Sequence, residues 1–272
     1  ADDTTDTAPP IEDGCDKDRD GVPSIACGGL DCDDDDILRS PNVPELCDDV
    51  DNDCDDVNNE GLNCSFYAHS GSTVYSIDPF EKELFELSTD APNLQDIDTH
   101  PNGTLLGVTF DGLYEFDELR NTWFFVGEFN RDVADPNGLA IDSAGTAFVT
   151  SQDKIFTIDI IDGSATELGT LGANYYSSGD CVVNKRDTLY MTSKHDMEQD
   201  HLLLVNRGDG SATQIGPIGF DRVFALTAAW GTLYGLTDAG ELIEIDTTTG
   251  AGTLVHQFPG IRFFGAASTP SR

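Results

Sequence analysis

The sequence predicts an all-β protein: a five-bladed β-propeller over residues 66–272, closed by strands from both ends, with a small irregular, disulfide-rich, calcium-binding module ahead of it over residues 15–65. Three observations predict it. Charge and cysteine density fall abruptly near Phe66, strand-like phrases then recur with a period of about 40 residues, and carboxylates alternate in tight loops before that point.

The chain carries 51 acidic and 14 basic residues among 272, for a net charge of −37. Residues 1–65 hold 21 acidic and 3 basic residues, a net of −18, and the remaining 207 hold 30 and 11, a net of −19. The first part is therefore several times denser in charge, and it lacks hydrophobic periodicity. Such a balance argues against nucleic acid and anionic membrane as partners, because both require Lys and Arg to replace counterions. No run approaches the ~18 apolar residues of a membrane helix. The opening ADDTTDTAPP is polar and of low complexity, so residues 1–14 are expected to be a flexible leader, with no basic-then-apolar signal peptide. Six of the seven cysteines, Cys15, Cys27, Cys32, Cys47, Cys54 and Cys64, crowd into a segment with almost no apolar core. Disulfides that staple a coreless module in an oxidising compartment are the expectation, which places the protein outside the cell or on its surface. Spacing does not choose among the fifteen pairings that six cysteines allow. The chain is expected to be a monomer.

Each element of the propeller follows from a repeated pair of phrases. VYSID (Val74–Asp78) recurs as LYEFD, IFTID, LLLVN and LIEID, with last residues 39, 42, 47 and 40 apart. Between them stand GTLLGVT, GTAFVTS, DTLYMTS and GTLYGLT, which begin at Gly103, Gly145, Asp187 and Gly231. Each unit reads as an inner strand, a Gly turn, a second strand, a short loop, the VYSID-like strand, a turn and an outer strand. Four strands per unit make a propeller blade. The fifth inner strand, FFGAAS (Phe263–Ser268), lacks a partner phrase at the C-terminus, and FYAHSGS (Phe66–Ser72) supplies it from the other end. Closure of this kind removes open sheet edges.

In the module, ELCDDVDNDCDDVNNE puts eight acidic residues into the sixteen positions Glu45–Glu60. Carboxylates on alternate residues of a tight loop can all turn onto one hard cation, and calcium accepts 6–8 oxygens. CDKDRDG supplies Asp16, Asp18 and Asp20 followed by Gly21, the D-x-D-x-D-G opening of a calcium loop. Its twelfth position is Cys27 rather than Glu, so the missing ligand is expected from Asp33, Asp34 or Asp36. The second stretch fits two registers. One begins at Asp49, with Asp51, Asp53 and Asp55 next, Cys54 in the glycine place and Glu60 at position twelve. The other begins at Asp51, uses Asp53 and Asp55, and puts Asn59 at position nine. Zinc is disfavoured by the cysteine spacing. The absence of His, Met and Trp before residue 66 disfavours copper.

The order DKDRDG, CGGLDCDDDD, P-x-x-P-E-L-C and CDDVDNDCDD resembles the Asp/Cys metal-binding repeat of secreted myxobacterial and marine bacterial proteins related to the MopE group. The resemblance covers about residues 15–61, with Asp49 and Asp56 standing where that repeat has Gly. It implies a metal-binding, secreted module. The copper association of the group is not carried over, because the soft ligands are missing. The propeller resembles NHL- and YncE-like propellers in general rhythm only, and fold does not fix function.

The propeller carries no G-x-S-x-G, no H-E-x-x-H and no ligand-spaced run of histidines. Propellers bind ligands where the loops entering the innermost strands converge. Here those loops place Arg222 and Arg262 at matching positions of adjacent blades and also carry Asn137, Tyr175 and Tyr176. Paired arginines suit carboxylates and sulfates, and tyrosines suit sugar rings. The competing expectation, which the density of acidic residues favours, is that each arginine pairs with a nearby aspartate such as Asp221 or Asp96. The leading expectation is a calcium-binding, non-catalytic binding or adhesion protein whose propeller presents a surface to a glycan, an anionic ligand or a cell-surface protein. A propeller hydrolase or lyase, using Asp96, Asp98, Asp142 or Asp180 over the channel, and a single-site lectin are the alternatives.

Overall fold

The computed structural model of the chain describes residues 14–130, 132–172, 174–195 and 199–268, the side chain of His195 excepted. Apart from Gly14, the leader expected over residues 1–14 lies outside the described residues. The chain divides into two compact units, Ala1–Cys64 and Ser65–Arg272.

The second unit is a five-bladed propeller of four-stranded antiparallel sheets. From the inside outward, blade 1 runs β20 (Gly265–Ala267), β1 (Phe66–Ser70), β2 (Thr73–Asp78) and β3 (Glu83–Ser88). Blade 2 is β4 (Asp96–Thr99), β5 (Leu105–Val108), β6 (Gly112–Asp117) and β7 (Thr122–Glu128). Blade 3 is β8 (Pro136–Ile141), β9 (Ala147–Ser151), β10 (Lys154–Ile158) and β11 (Ala165–Thr170). Blade 4 is β12 (Ser177–Val183), β13 (Leu189–His195), β14 (Gln199–Val205) and β15 (Ala212–Pro217). Blade 5 is β16 (Val223–Ala229), β17 (Thr232–Thr237), β18 (Glu241–Ile245) and β19 (Gly252–Gln257). The ring closes by pairing Tyr67 with Ala267 and His69 with Gly265, so the two ends of the unit share one blade.

Sequence explains the repeat at three levels. The polar residue that ends each VYSID-like phrase caps the turn behind it: Asp78, Asp117, Asp159, Asn206 and Asp246 each accept a backbone amide two or three residues on. The outer pair of strands then carries a register shift at the same point in every blade, at Val74/Tyr75, Leu113/Tyr114, Ile155/Phe156, Leu202/Leu203 and Leu242/Ile243. Such a bulge bends and twists the strand. Finally, the apolar residues of the middle strands pack between neighbouring blades. Leu106, Val108 and Leu113 of blade 2 meet Leu139, Val149 and Phe156 of blade 3, and equivalent clusters fill the other junctions. Trp123 and Trp230 join two of them. Glycine permits the closest approach: a Cβ on Gly127 would lie 1.8 Å from the Asp162 carbonyl oxygen in the turn of the next blade.

The first unit has no comparable core. Its described residues hold a single helical turn, Ile25–Cys27, and one isolated bridge between Ser24 and Asp31. Ile25, Leu30, Ile37 and Val57 are all exposed. Disulfides join Cys15 to Cys27, Cys32 to Cys54 and Cys47 to Cys64. Each closes a loop worth about 3 kcal/mol in the chain-entropy account. Cys181 is free and buried in the propeller.

Candidate metal loops and propeller face

Two loops of the first unit share one backbone course. In the first, Asp16, Asp18 and Asp20 alternate, Arg19 has φ 67° and Gly21 φ 95°. In the second, Asp51, Asp53 and Asp55 alternate, Cys54 has φ 65° and Asp56 φ 71°. Asp20 Oδ1 accepts the Val22 amide at 2.7 Å, and Asp55 Oδ1 accepts the Val57 amide at 2.9 Å. From Asp51 onward the second loop therefore follows the backbone course of the first from Asp16. Asp56 occupies the glycine place, a left-handed position that Asp tolerates better than most residues. Asp49, also left-handed at φ 62°, stays outside the acidic cluster and lies beside the Asn58 amide.

In both loops, bonding within the turn consumes some carboxylate oxygens and leaves others aimed at a common point. One oxygen each from Asp16, Asp18 and Asp20 lie within 4.8 Å of one another. The same limit holds for Glu45, Asp51 and Asp53, and for Asp53, Asp55 and Glu60. Oxygens on opposite sides of a calcium ion stand about 5 Å apart, so these spacings match its coordination sphere. Asp16 Oδ1, Asp18 Oδ2, Asp20 Oδ2, Asp31 Oδ2, Asp53 Oδ1 and Glu60 Oε2 are buried without a hydrogen-bond partner. A buried carboxylate oxygen that faces only other carboxylates is costly unless a cation sits there. Desolvation first, then repulsion from neighbouring carboxylates, raises the carboxyls of Asp18, Asp31, Asp53 and Glu60 above their ordinary range.

The structure redistributes the expected ligands. Asp33 pairs with Arg39 at 2.8 Å, Asp34 accepts the Lys17 amide at 2.9 Å, and Asp36 accepts the Leu38 amide at 3.1 Å. Asp31 is 1% exposed and offers its free oxygen near the first loop, where its charge bears on Asp18 and Asp20. Glu45 is the other residue missed from sequence. It accepts the amides of Asn52, Asp53 and Asn59 at 2.7, 3.1 and 2.5 Å and so anchors the second loop. Both lay in quoted motifs, at the head of DCDDDD and in P-E-L-C, but outside the alternating runs.

On the propeller, Arg222 and Arg262 both pair with a nearby aspartate, which is Asp238 rather than Asp221 or Asp96. Arg222 Nη1 donates to Asp238 Oδ2 at 2.8 Å and Arg262 Nε to Asp238 Oδ1 at 2.5 Å. Burial works against the charge on Asp238, but the two guanidinium bonds outweigh it and hold its carboxyl below the usual range. Both arginines stay more than 60% exposed, and Arg262 lies 5.3 Å over the ring of Phe264, which stacks on Phe224. Tyr176 is exposed, whereas Tyr175 packs against the junction of blades 3 and 4. Asn137 bridges those blades: its amide nitrogen donates to Ser177 O at 3.2 Å and its oxygen accepts from Thr150 Oγ1.

The aspartates near the inner strands hold the ring together. Asp96 accepts the Leu139 amide at 2.5 Å, Asp98 the Ile141 amide at 2.6 Å, and Asp180 the amides of Leu226 and Ala266 at 2.6 and 3.4 Å. Asp96 and Asp180 also lie close enough for their charges to bear on one another. This pair therefore touches the inner strands of all five blades. Burial penalises the charge on each, and two buried carboxylates this close cannot both ionise, so one keeps its proton. Asp96 is raised well above the ordinary value and Asp180 is pushed up to about 7. Gly265 makes room, since a Cβ there would lie 2.1 Å from Asp96 Oδ1. Asp142 instead caps its own turn through Ala144 and Thr146 and pairs with Arg207 at 2.6 Å. In the SKHDMEQDH segment, Asp196, Glu198 and the His195 side chain lie outside the described residues. Asp200 is buried and accepts the Val223 amide at 2.8 Å.

No protein-family model matches the chain, and no curated protein matches it in sequence. The likeness of residues 15–61 to an Asp/Cys metal-binding repeat therefore rests on the order of those residues alone. Among solved structures, a chain of a nidogen/laminin complex is 15% identical, with 75% of this chain and 97% of that chain covered and a TM-score of 0.49. Virginiamycin B lyase from Staphylococcus aureus is 14% identical over 75% of this chain and 73% of that one, with a TM-score of 0.44. These likenesses carry no argument about activity or ligand.

Proposed function

We propose that the Asp/Cys unit is a calcium-binding module with at least two ions, one in the loop of Asp16, Asp18 and Asp20 and one in the loop of Asp51, Asp53 and Asp55. Asp31 completes the first site and Glu60 the second. The observation that carries this reading is the set of buried, unpartnered carboxylate oxygens that converge in two loops of equivalent backbone. The donors are all oxygen and all hard, which suits calcium and disfavours copper or zinc. Three disulfides point to an extracellular or secreted protein, and no helix of the described residues is long and apolar enough to cross a membrane.

The whole is read as a secreted, non-catalytic binding or adhesion protein. The calcium module precedes a propeller whose loop face offers Arg222, Arg262 and Tyr176 to a glycan, an anionic ligand or a cell-surface partner. Support comes from the exposure of those side chains and from the channel aspartates Asp96, Asp98 and Asp180, each of which accepts a backbone amide of a neighbouring blade. Limited proteolysis in calcium and in chelator tests the module. Residues 15–64 should resist cleavage in calcium and be cut in chelator, while the propeller resists in both. Unchanged resistance of residues 15–64 in chelator would remove calcium from the account.

A further inference from the structure

The end of the propeller away from the arginine-bearing loops carries a cavity of about 320 Å³ between blades 4 and 5. Lys185 and Arg186, neighbours in the turn that joins β12 to β13, line it. Both are exposed, and neither makes an ion pair among the described residues. Arg120, Lys154, Arg207, Arg222 and Arg262, by contrast, all rest on carboxylates. Tyr190 and Leu233 give the cavity an apolar wall, and Thr188 and Thr247 add hydroxyl groups. No carboxylate lines it, in a chain with 51 acidic residues.

We propose that this cavity binds the ring of an acidic sugar, with its anionic group held by Lys185 and Arg186. The volume lies at the lower end of small-molecule sites, about 300–1,000 Å³, and so suits one or two rings. An apolar wall with a few hydroxyls suits a ring that is apolar on one face and rich in hydroxyls at its edge. Two unpaired cations at one side suit a carboxylate or sulfate, and charge-assisted bonds to such groups are the strong ones. The recess next to it shares Gly231, Thr232, Leu233 and Thr247 but carries Glu244 and Asp246. That contrast orients the ligand, its anionic end toward blade 4 and away from blade 5. The site shares no residue with the calcium loops or with the Arg222–Asp238–Arg262 group, so it stands or falls apart from them.

Titration calorimetry of the full chain in saturating calcium, with glucuronate, glucose and sodium sulfate as probes, tests the proposal. Glucuronate should bind at least tenfold more tightly than glucose or sulfate. The Lys185→Ala/Arg186→Ala variant should lose that binding at least tenfold with an unchanged thermal transition, because both side chains are exposed. The Arg222→Ala/Arg262→Ala variant should bind glucuronate like the parent. Equal binding of glucose and glucuronate, sulfate binding as tight as glucuronate, full retention by the Lys185/Arg186 variant, or no glucuronate binding would each overturn it. A loss confined to the Arg222/Arg262 variant would also overturn it by placing the anion at the opposite end.

Discussion

The two units of this chain reach order by opposite routes. In the propeller, apolar side chains at every blade junction are buried, and the acidic residues drawn inside are bonded to backbone amides. In the Asp/Cys unit, apolar residues stay exposed while carboxylate oxygens are buried without partners. A segment that buries charge instead of hydrocarbon draws its stability from cross-links and from whatever neutralises that charge. On the calcium reading proposed above, the module should depend on ions and the packed propeller should not.

The sharpest way to break that contrast is to remove a cross-link from the module. Cys32→Ser with Cys54→Ser opens a span of 22 residues that joins the Asp31 segment to the second loop. The expected loss is about 3 kcal/mol, read as protease sensitivity of residues 15–64, with the propeller's thermal transition unmoved. A shift of the propeller transition instead would show that the two routes are not separate.

Next in size is a packing lesion on the other side. Gly127→Ala drives a methyl into the Asp162 carbonyl, and overpacking of this kind costs about 1–3 kcal/mol. The propeller should melt several degrees lower while calcium affinity is unchanged. Thermal melts and calcium titrations on the same variant check both halves.

A smaller effect comes from the Asp96–Asp180 pair. Burial pushes Asp180 up to about 7 in the folded protein, against about 3.9 when unfolded, so between those values the native state holds a proton that the unfolded chain has lost. Its contribution is full below about pH 4 and is lost as pH rises toward 7. His69 acts in the opposite sense, since burial lowers it to about 4, and its contribution grows as pH rises from about 4 to 6.5. Asp98 is also buried beside the pair and raised by burial, which keeps it neutral and adds to the same decline, whereas the raised thiol of Cys181 is protonated in both states over this range and adds nothing to it. Asp96→Asn supplies a permanent donor to Asp180. The stability advantage of the parent over this variant should shrink from pH 5 to pH 8 in denaturant melts, and an advantage that grows would reverse the proton assignment.

Smallest is the effect of the rim on folding. Arg222→Ala or Arg262→Ala removes an exposed partner of Asp238 and should cost at most about 1 kcal/mol, seen as a shift of only a few degrees in the melt.

The propeller was legible because each blade announces itself locally. The VYSID-like phrases supply a strand and its turn cap together, and FFGAAS without a partner phrase revealed the closure with FYAHSGS. The channel was less legible, because Asp96 and Asp180 are far apart in sequence and meet only when the ring closes. Likewise, nothing near Arg222 or Arg262 in the chain singled out Asp238 as their common partner. In the module, alternation exposed Asp16, Asp18, Asp20, Asp51, Asp53 and Asp55, because neighbours in a loop supply those oxygens. Asp31 and Glu45 escaped because they arrive from outside the alternating runs, placed by the Ser24–Asp31 bridge and by three backbone amides. Lys185 and Arg186 drew no notice, since a cavity between blades has no counterpart in linear sequence.

The central claim is that two equivalent loops each hold a calcium ion, and ion counting tests it most directly. Equilibrium dialysis of the full chain, alongside Asp18→Asn and Asp53→Asn variants, should give at least two bound calcium ions for the parent and one fewer for each variant. The parent number would be retained in Asp34→Asn and Asp49→Asn, whose carboxylates lie outside the two clusters. A parent that binds no calcium, or variants at Asp18 and Asp53 that bind as many ions as the parent, would contradict the account.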